Sequence, residues 1–301
     1  LVSYIGIVTE GIEDIAAQEV QGKIKSKGRI IFEKEKKEYC TVDTVYELEE
    51  EFTFEDQEDI REKVEKKQWQ IKEPFRVTCR REGKHLFTAN DIERDLGELI
   101  HEQGYAVSLK EPKTTIYVDI EENMCRIGKL VEDDLDKRAY RVRRGSTAIS
   151  ASLAAAMIKI AEITPEDSML DPLCKDGVIA IEAARQGIKN IAATDTIENN
   201  VRNAKINAKM AKVNINWEPK KENVEYVITN LWVPAKFEGA KQFAGKFLEW
   251  QKEKVEKKII ILTNWTGIEK KIPEGLVIEA KRLVKRGEIK NYIFILGKRS
   301  S

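Results

Sequence analysis

Residues Met169-Leu-Asp-Pro-Leu-Cys-Lys-Asp-Gly-Val-Ile-Ala-Ile-Glu-Ala-Ala184 bring two acids, a thiol, an amine and a glycine into one short turn. The apolar run ending at Asp171 reads as a strand. Val178 to Gln186 reads as a helix opened by Gly177. Such a turn holds a nucleotide-type ligand when it is glycine-rich. The missing Cβ lets the backbone approach, and the helix N-terminus meets an anionic group. Here Lys175 stands where close approach calls for glycine, flanked by Cys174 and Asp176. The expectation is a cofactor-type scaffold whose turn has been altered. Asp195, 24 residues after Asp171, ends a second apolar strand. An acid there can accept hydrogen bonds from ribose hydroxyls; the competing reading is a cap on the helix starting at Ile197.

The elements that position these residues alternate. After a helix from Ala151 to Glu162 come strands ending at Asp171, Asp195, Asn230 and Thr263, with helices between them and two further strands, Ile278–Val284 and Tyr292–Leu296. Alternation of this kind predicts a parallel, doubly wound sheet with an antiparallel edge, and ligands in such sheets bind at the carboxyl ends of the strands. Ahead of it, the pattern predicts strands at Ser3–Val8, Gly28–Glu33 and Thr41–Leu48 and helices at Ile12–Val20 and Asp56–Lys67. A second α+β module follows. Pro74 leads into a strand, Phe75–Arg81, and Asn90-Asp91 caps a helix, Ile92–Gln103, with Ile92, Leu96, Leu99 and Ile100 on one face. Strands at Ala106–Leu109, Thr115–Ile120 and Met124–Leu130 complete it. The acidic run Glu132–Asp136 then turns abruptly basic at Lys137-Arg138. The expected partition is 1–52, 53–136, a linker at 137–148 with its boundary near Lys137 to Ser146, and 149–301.

Fifty-two basic and 52 acidic side chains give a formal net charge of zero over 301 residues. That excludes a uniformly basic nucleic-acid binder but not a locally basic surface. Abundant Lys and Glu with few Cys, Met and His lean thermophilic. Cys40, Cys79, Cys125 and Cys174 are scattered without a Cys-x-x-Cys pair, so reduced thiols are expected and no metal site. No apolar run is long enough to span a membrane and no signal-peptide pattern opens the chain, so a cytoplasmic location is expected. His85 and His101 read as surface or core histidines.

The strand–turn–helix segment resembles motif I of S-adenosylmethionine-dependent class I methyltransferases, and more narrowly that of THUMP-domain RNA methyltransferases acting on guanine N2. Against that family's Asp-Pro-x-Cys-Gly-Ser-Gly-Thr-x-x-Ile-Glu-Ala-Ala, the residues Asp171, Pro172, Cys174, Gly177, Ile181, Glu182, Ala183 and Ala184 match. Lys175, Asp176 and Val178 depart from it. Lys137–Arg144 with Ser152–Met157 is similar to the entry into the catalytic domain. Phe75–Arg81 through Ile116–Asp119 is similar to a THUMP domain, Thr9–Glu13 to the start of a ferredoxin-like domain, and Gly287–Ile293 to the closing hairpin. The resemblance implies N-terminal ferredoxin-like and THUMP α+β domains followed by a Rossmann-like doubly wound domain.

It also implies a chemistry. Family members hold the guanine amine with Asn-Pro-Pro-Tyr or Phe after the fourth strand, where the Asn side chain and a Pro carbonyl accept its hydrogens and the ring stacks on the base. This chain reads Asn230-Leu-Trp-Val-Pro-Ala235 there. Asn230 is kept and the double proline is lost. Trp232 is expected to fill the vacated space as an apolar plug, the alternative being a stacking face. Family members carry an acid that contacts adenine after the third strand, and the connection Glu218–Asn223 is too short for the loop that usually bears it. With three segments altered, the expected protein binds tRNA or another structured RNA and has an inactive methyltransferase-like domain. No cofactor is expected, and a scaffold for an active partner chain is the expected role of that domain. The alternative is a divergent guanine-N2 tRNA methyltransferase, with Asn230 and Trp232 at the base and Asp171, Cys174, Asp176, Gly177 and Asp195 at S-adenosylmethionine. Candidate phosphate contacts are Arg80, Arg81, Lys84, Lys113, Lys129, Lys137, Arg138, Arg141, Arg143 and Arg144. The competing reading of the 137–144 cluster is a solvated linker in a charge-rich protein.

Overall fold

The computed structural model describes residues 2–34, 36, 38–145, 147–219, 223–234 and 238–299. Ser146, Ala235 and the Lys220–Glu222 part of the short connection lie outside the described residues. In chain order the elements are β1 (Ser3–Ile7), α1 (Glu13–Val20), β2 (Lys23–Ser26), β3 (Arg29–Phe32), β4 (Thr44–Thr53), α2 (Gln57–Glu65), β5 (Phe75–Glu82), α3 (Ala89–Glu102), β6 (Thr114–Glu121) and β7 (Met124–Glu132). There follow α4 (Ala151–Ala161), β8 (Ser168–Asp171), α5 (Val178–Arg185), β9 (Asn190–Ala193), α6 (Glu198–Ala211), β10 (Val224–Asn230), α7 (Glu238–Lys254), β11 (Val255–Thr263), β12 (Leu276–Arg286) and β13 (Ile289–Lys298). The chain divides into two compact units, one of Leu1–Ile7, Ile31–Lys36 and Thr44–Asp133, the other of Val8–Ile30, Lys37–Asp43 and Asp134–Ser301.

In the first unit the strands run β1-β4-β7-β6-β5, with β5 and β6 parallel and the remaining neighbours antiparallel. α3 buries Ile92, Leu96, Leu99 and Ile100, the face its spacing predicts, against Phe75, Val77, Ile116 and Ile127. Its cap is Thr88 rather than Asn90-Asp91. The Thr88 hydroxyl accepts from the Asp91 N–H while the Asp91 carboxylate accepts from the Thr88 N–H, a reciprocal box that places Asp91 inside the helix. The Ala106–Leu109 strand reduces to a single bridge between Phe75 and Val107.

The second unit is the doubly wound one. Its sheet order is β12-β13-β11-β10-β8-β9. β9, β8, β10 and β11 are parallel, while β13 and β12 close the edge antiparallel. The chain leaves β8 toward β9 and then returns to β10 on the other side, so the order reverses between β8 and β10 and leaves a crevice at their carboxyl ends. α4 is apolar almost all round, with Ala151, Ala154, Ala155, Ala156, Met157 and Ile158 buried, because it packs on both the sheet and α5. Ahead of the short connection, Asn216 forms one isolated parallel bridge with Ala192. No helix among the described residues is long and apolar enough to cross a membrane.

Candidate functional site

Asp171 ends β8 wholly buried. One carboxylate oxygen accepts from the Thr229 hydroxyl at 2.8 Å, and the other has no partner. Burial pushes its pKa from the usual carboxylate range up to about 7, against the lowering effect of the Thr229 bond. Three residues on, Cys174 is buried too, and burial pushes its thiol far above the reactive range. Gly177 is needed for packing. Its φ is +83°, and a Cβ there would lie 2.9 Å from that of Ala204, so the glycine lets α5 sit close to α6.

Lys175 decides the character of the site. Its φ of +51° puts a long side chain on a left-handed backbone. Its N–H donates to Asp195 Oδ2 at 2.9 Å, and its ammonium reaches across the crevice to donate to the Asn230 carbonyl. The side chain therefore links the ends of β8 and β10, through the space between the reversed strands. Burial pulls its pKa down to about 8, while Asp171 and Asp195 pull the other way.

Asp195 accepts from Ile197 N–H at 2.9 Å with its second oxygen, so both oxygens serve backbone amides and the carboxylate shapes the turn before α6. Asp176 is buried and accepts from Arg141 at 2.7 Å. Asn230 donates through its side chain to the Thr147 carbonyl at 3.0 Å.

Trp232 is not the plug. It is 42% exposed, whereas Leu231 and Val233 are each 2% exposed. The alternation sends the two aliphatic neighbours into the core beside Leu248 and Ile261 and turns the indole outward. The loop is fixed on both sides of it. Leu231 N–H donates to the Leu262 carbonyl at 2.8 Å, and Asn264 exchanges two 2.9 Å bonds with the Val233 backbone. The side chain that crosses the crevice is that of Lys175.

Lys175 spans the switch point, the Lys175 and Ile197 amides are taken by Asp195, and among the described residues the buried carboxylate oxygens without a partner are Asp171 Oδ2 and Asp176 Oδ1. No group of three or more His, Cys, Asp or Glu able to hold a metal occurs among the described residues.

The raised and lowered groups give a pH signature. Between the ordinary carboxylate range and about 7 the folded state keeps a proton on Asp171 that the unfolded chain has lost, so stability falls as pH rises through that window. Above about 8 the folded Lys175 is neutral while the unfolded lysine stays charged, so stability rises with pH there. Asp171→Asn is expected to abolish the first slope. Urea midpoints of parent and variant from about pH 4 to 8 check it, and parallel profiles would refute the assignment.

The basic residues separate into two groups. Arg138 lies inside the second unit, donating to the Tyr39, Cys40 and Leu135 carbonyls and pairing with Glu182 at 3.3 Å. Glu182 also accepts from Tyr140 at 2.6 Å. Arg141 is internal as well, so neither side chain faces phosphates. Arg143 and Arg144 are exposed, and Lys137 pairs with Asp134. In the first unit Lys84 and Lys113 are exposed, Arg80 pairs with Glu82, Arg81 donates to the Gly83 carbonyl, and Lys129 pairs with Glu49 at 2.7 Å. His85 stacks on Phe87 and His101 bonds the Tyr105 carbonyl, both structural roles. The sequence reading passed over Trp265 and the adjacent Lys270-Lys271, which follow β11 at the same carboxyl edge; an aromatic close to paired lysines was the available signal.

Residues 53–128 match the THUMP domain family, and residues 138–231 match the RMKL-like methyltransferase domain family. The chain thus joins a THUMP domain to a methyltransferase-type domain with a Rossmann-like fold. Its relatives include the tRNA (guanine(6)-N2)-methyltransferase of Thermus thermophilus, 39% identical over 113 residues, 36% of this chain and 33% of that protein. The protein of the same name in Archaeoglobus fulgidus is 28% identical over 209 residues, 61% of this chain and 53% of that protein. The aligned parts thus span between a third and about half of these relatives' lengths. The crystal structure of TrmN from Thermus thermophilus superposes with a TM-score of 0.80 at 22% identity, covering 99% of this chain and 100% of that one. That of SMU.472, complexed with S-adenosylhomocysteine, also has a TM-score of 0.80, at 17% identity, covering 100% and 99%. At these identities the likeness shows the fold.

Proposed function

We propose that this protein binds tRNA or a similarly structured RNA through its THUMP-bearing part, and that its methyltransferase-type domain serves as a scaffold whose cofactor crevice is closed by its own Lys175. The observation that carries the reading is the Lys175 ammonium on the Asn230 carbonyl. The matched THUMP domain and the relatives' names support tRNA as the RNA. Lys84, Lys113, Arg143 and Arg144 are the phosphate contacts this reading uses, in a cytoplasmic protein partitioned at 1–52, 53–136, 137–148 and 149–301. An active partner chain fits the scaffold role.

A second reading has its own support. The relatives are named for guanine-N2 methylation, and these names favour a tRNA guanine-N2 methyltransferase using S-adenosylmethionine over an inactive domain. The exposed Trp232 beside Asn230 offers a face for a flipped base. It requires Lys175 to leave Asn230 and Asp195 to exchange a backbone partner for ribose.

Calorimetric titration of S-adenosylmethionine into the folded protein, alongside tRNA filter binding, separates the two. The proposed function expects tRNA retention without cofactor heat. Micromolar cofactor binding with methyl transfer to tRNA would overturn it in favour of the second reading.

A further inference from the structure

The carboxyl edge of the second unit carries a concentration of positive charge that the crevice does not explain. β11 ends at Thr263, and Asn264, which clamps the backbone of Val233, leads directly into Trp265 and a 3-10 helix, Thr266–Lys271. The surface that follows is therefore tied to the loop carrying exposed Trp232. A concavity of about 780 Å³ opens there, lined by Trp265 and four lysines, Lys241, Lys270, Lys271 and Lys281, against one acid, Glu269.

The concavity is built rather than incidental. A Cβ on Gly267 would come within 2.3 Å of the Trp265 ring, so the absence of a side chain lets the indole lie on the Gly267 backbone in one orientation. The Lys271 stem runs beside Gly245 of α7, where a Cβ would sit at 3.5 Å from it. Lys281 takes up Glu269 at 2.5 Å and stands 4.8 Å from the Tyr292 ring centroid. Lys270 and Lys271 are exposed and have no ion pair among the described residues. In a chain whose formal charge is zero, Lys270 and Lys271 add positive charge beside the Lys281–Glu269 pair, with no ion pair of their own among the described residues. Ammonium groups beside an aromatic face suit a polyanion whose phosphates release counterions and whose bases can stack.

We propose that this surface, centred on Trp265, Lys270 and Lys271, binds the phosphates of an RNA strand passing the end of the sheet, which rests on the RNA-binding reading above. It gives the second unit its own sequence-independent contact with RNA.

The test is the salt dependence of tRNA binding by the full chain and by K270A/K271A. A second variant, K205A/K209A, removes the same charge from exposed positions of α6. K270A/K271A is expected to bind about tenfold more weakly near 0.1 M salt, with its log–log salt slope reduced by about 1.4–1.8, the share of two phosphate contacts. K205A/K209A is expected to keep the parental slope. A parental slope in K270A/K271A, or equal losses in both variants, overturns the surface while leaving RNA binding standing. If the unmodified protein retains no tRNA, the functional reading and this surface fall together.

Discussion

Lys175→Gly is expected to bind S-adenosylmethionine about a hundredfold more tightly than the parent. Glycine adopts the φ of +51° without strain, so the turn should keep its path and its N–H bond to Asp195. What disappears is the side chain that crosses from β8 to the Asn230 carbonyl. The lost charge-assisted hydrogen bond contributes about 1.5–3 kcal/mol. Relief of left-handed strain, about 1–2 kcal/mol, and of a desolvated ammonium offsets much of it, so the variant should fold. A hundredfold gain in affinity corresponds to about 2.7 kcal/mol and would be plain by calorimetry. Lys175→Met separates bulk from charge: a side chain of similar length should keep the crevice closed. Equal cofactor affinity in parent and Lys175→Gly would show that the lysine does not obstruct the site. Binding without turnover is the expected behaviour of the glycine variant, because the loop after Asn230 still lacks the double proline.

Arg141→Ala is expected to cost about 3–5 kcal/mol of stability, the largest effect of any single substitution considered, because it strands a buried carboxylate. The Arg141 and Asp176 side chains are 3% and 0% exposed, and their 2.7 Å contact leaves Arg141 Nε and Asp176 Oδ1 without partners. An ion pair so incompletely compensated is one that apolar residues replace well. Arg141→Met with Asp176→Leu should therefore recover most of the loss, and the denaturant midpoint should fall for the single variant and return for the double one. A single variant within about 0.5 kcal/mol of the parent would mean that the pair is solvated in solution. Arg143→Ala and Arg144→Ala, both exposed, should stay within that margin. The contrast governs how RNA-binding data on the 137–144 segment are read. Loss of binding in an Arg141 variant reports on folding, and only the Arg143 and Arg144 variants report on contact.

Much of the architecture was legible beforehand for local reasons. The alternation of short apolar runs with helical faces after Ala148 specified the doubly wound sheet, since each pattern has only one way to bury its apolar side. The spacing of Ile92, Leu96, Leu99 and Ile100 specified the buried face of α3. The Lys at 175 marked the altered turn, because a Cβ and a long side chain cannot vanish from a place that needs neither. Asp195 was ambiguous between ribose and helix cap, since both roles ask for an acid at a strand end.

Three matters were decided only by the tertiary structure. The segment Lys137–Arg144 is basic in sequence whether its side chains point out or in, and the fold buries Arg138 on carbonyls and Glu182 and Arg141 on Asp176. Trp232 could fill a hole or face outward; the anchoring of Leu231 and Val233 to the end of β11 turned it out. The crevice could be open or crossed. What crosses it is one lysine bonded to a residue 55 positions away, a separation that no local pattern encodes. A sequence determines which side chains are available and how each short segment folds; which of them meet is set by long-range packing.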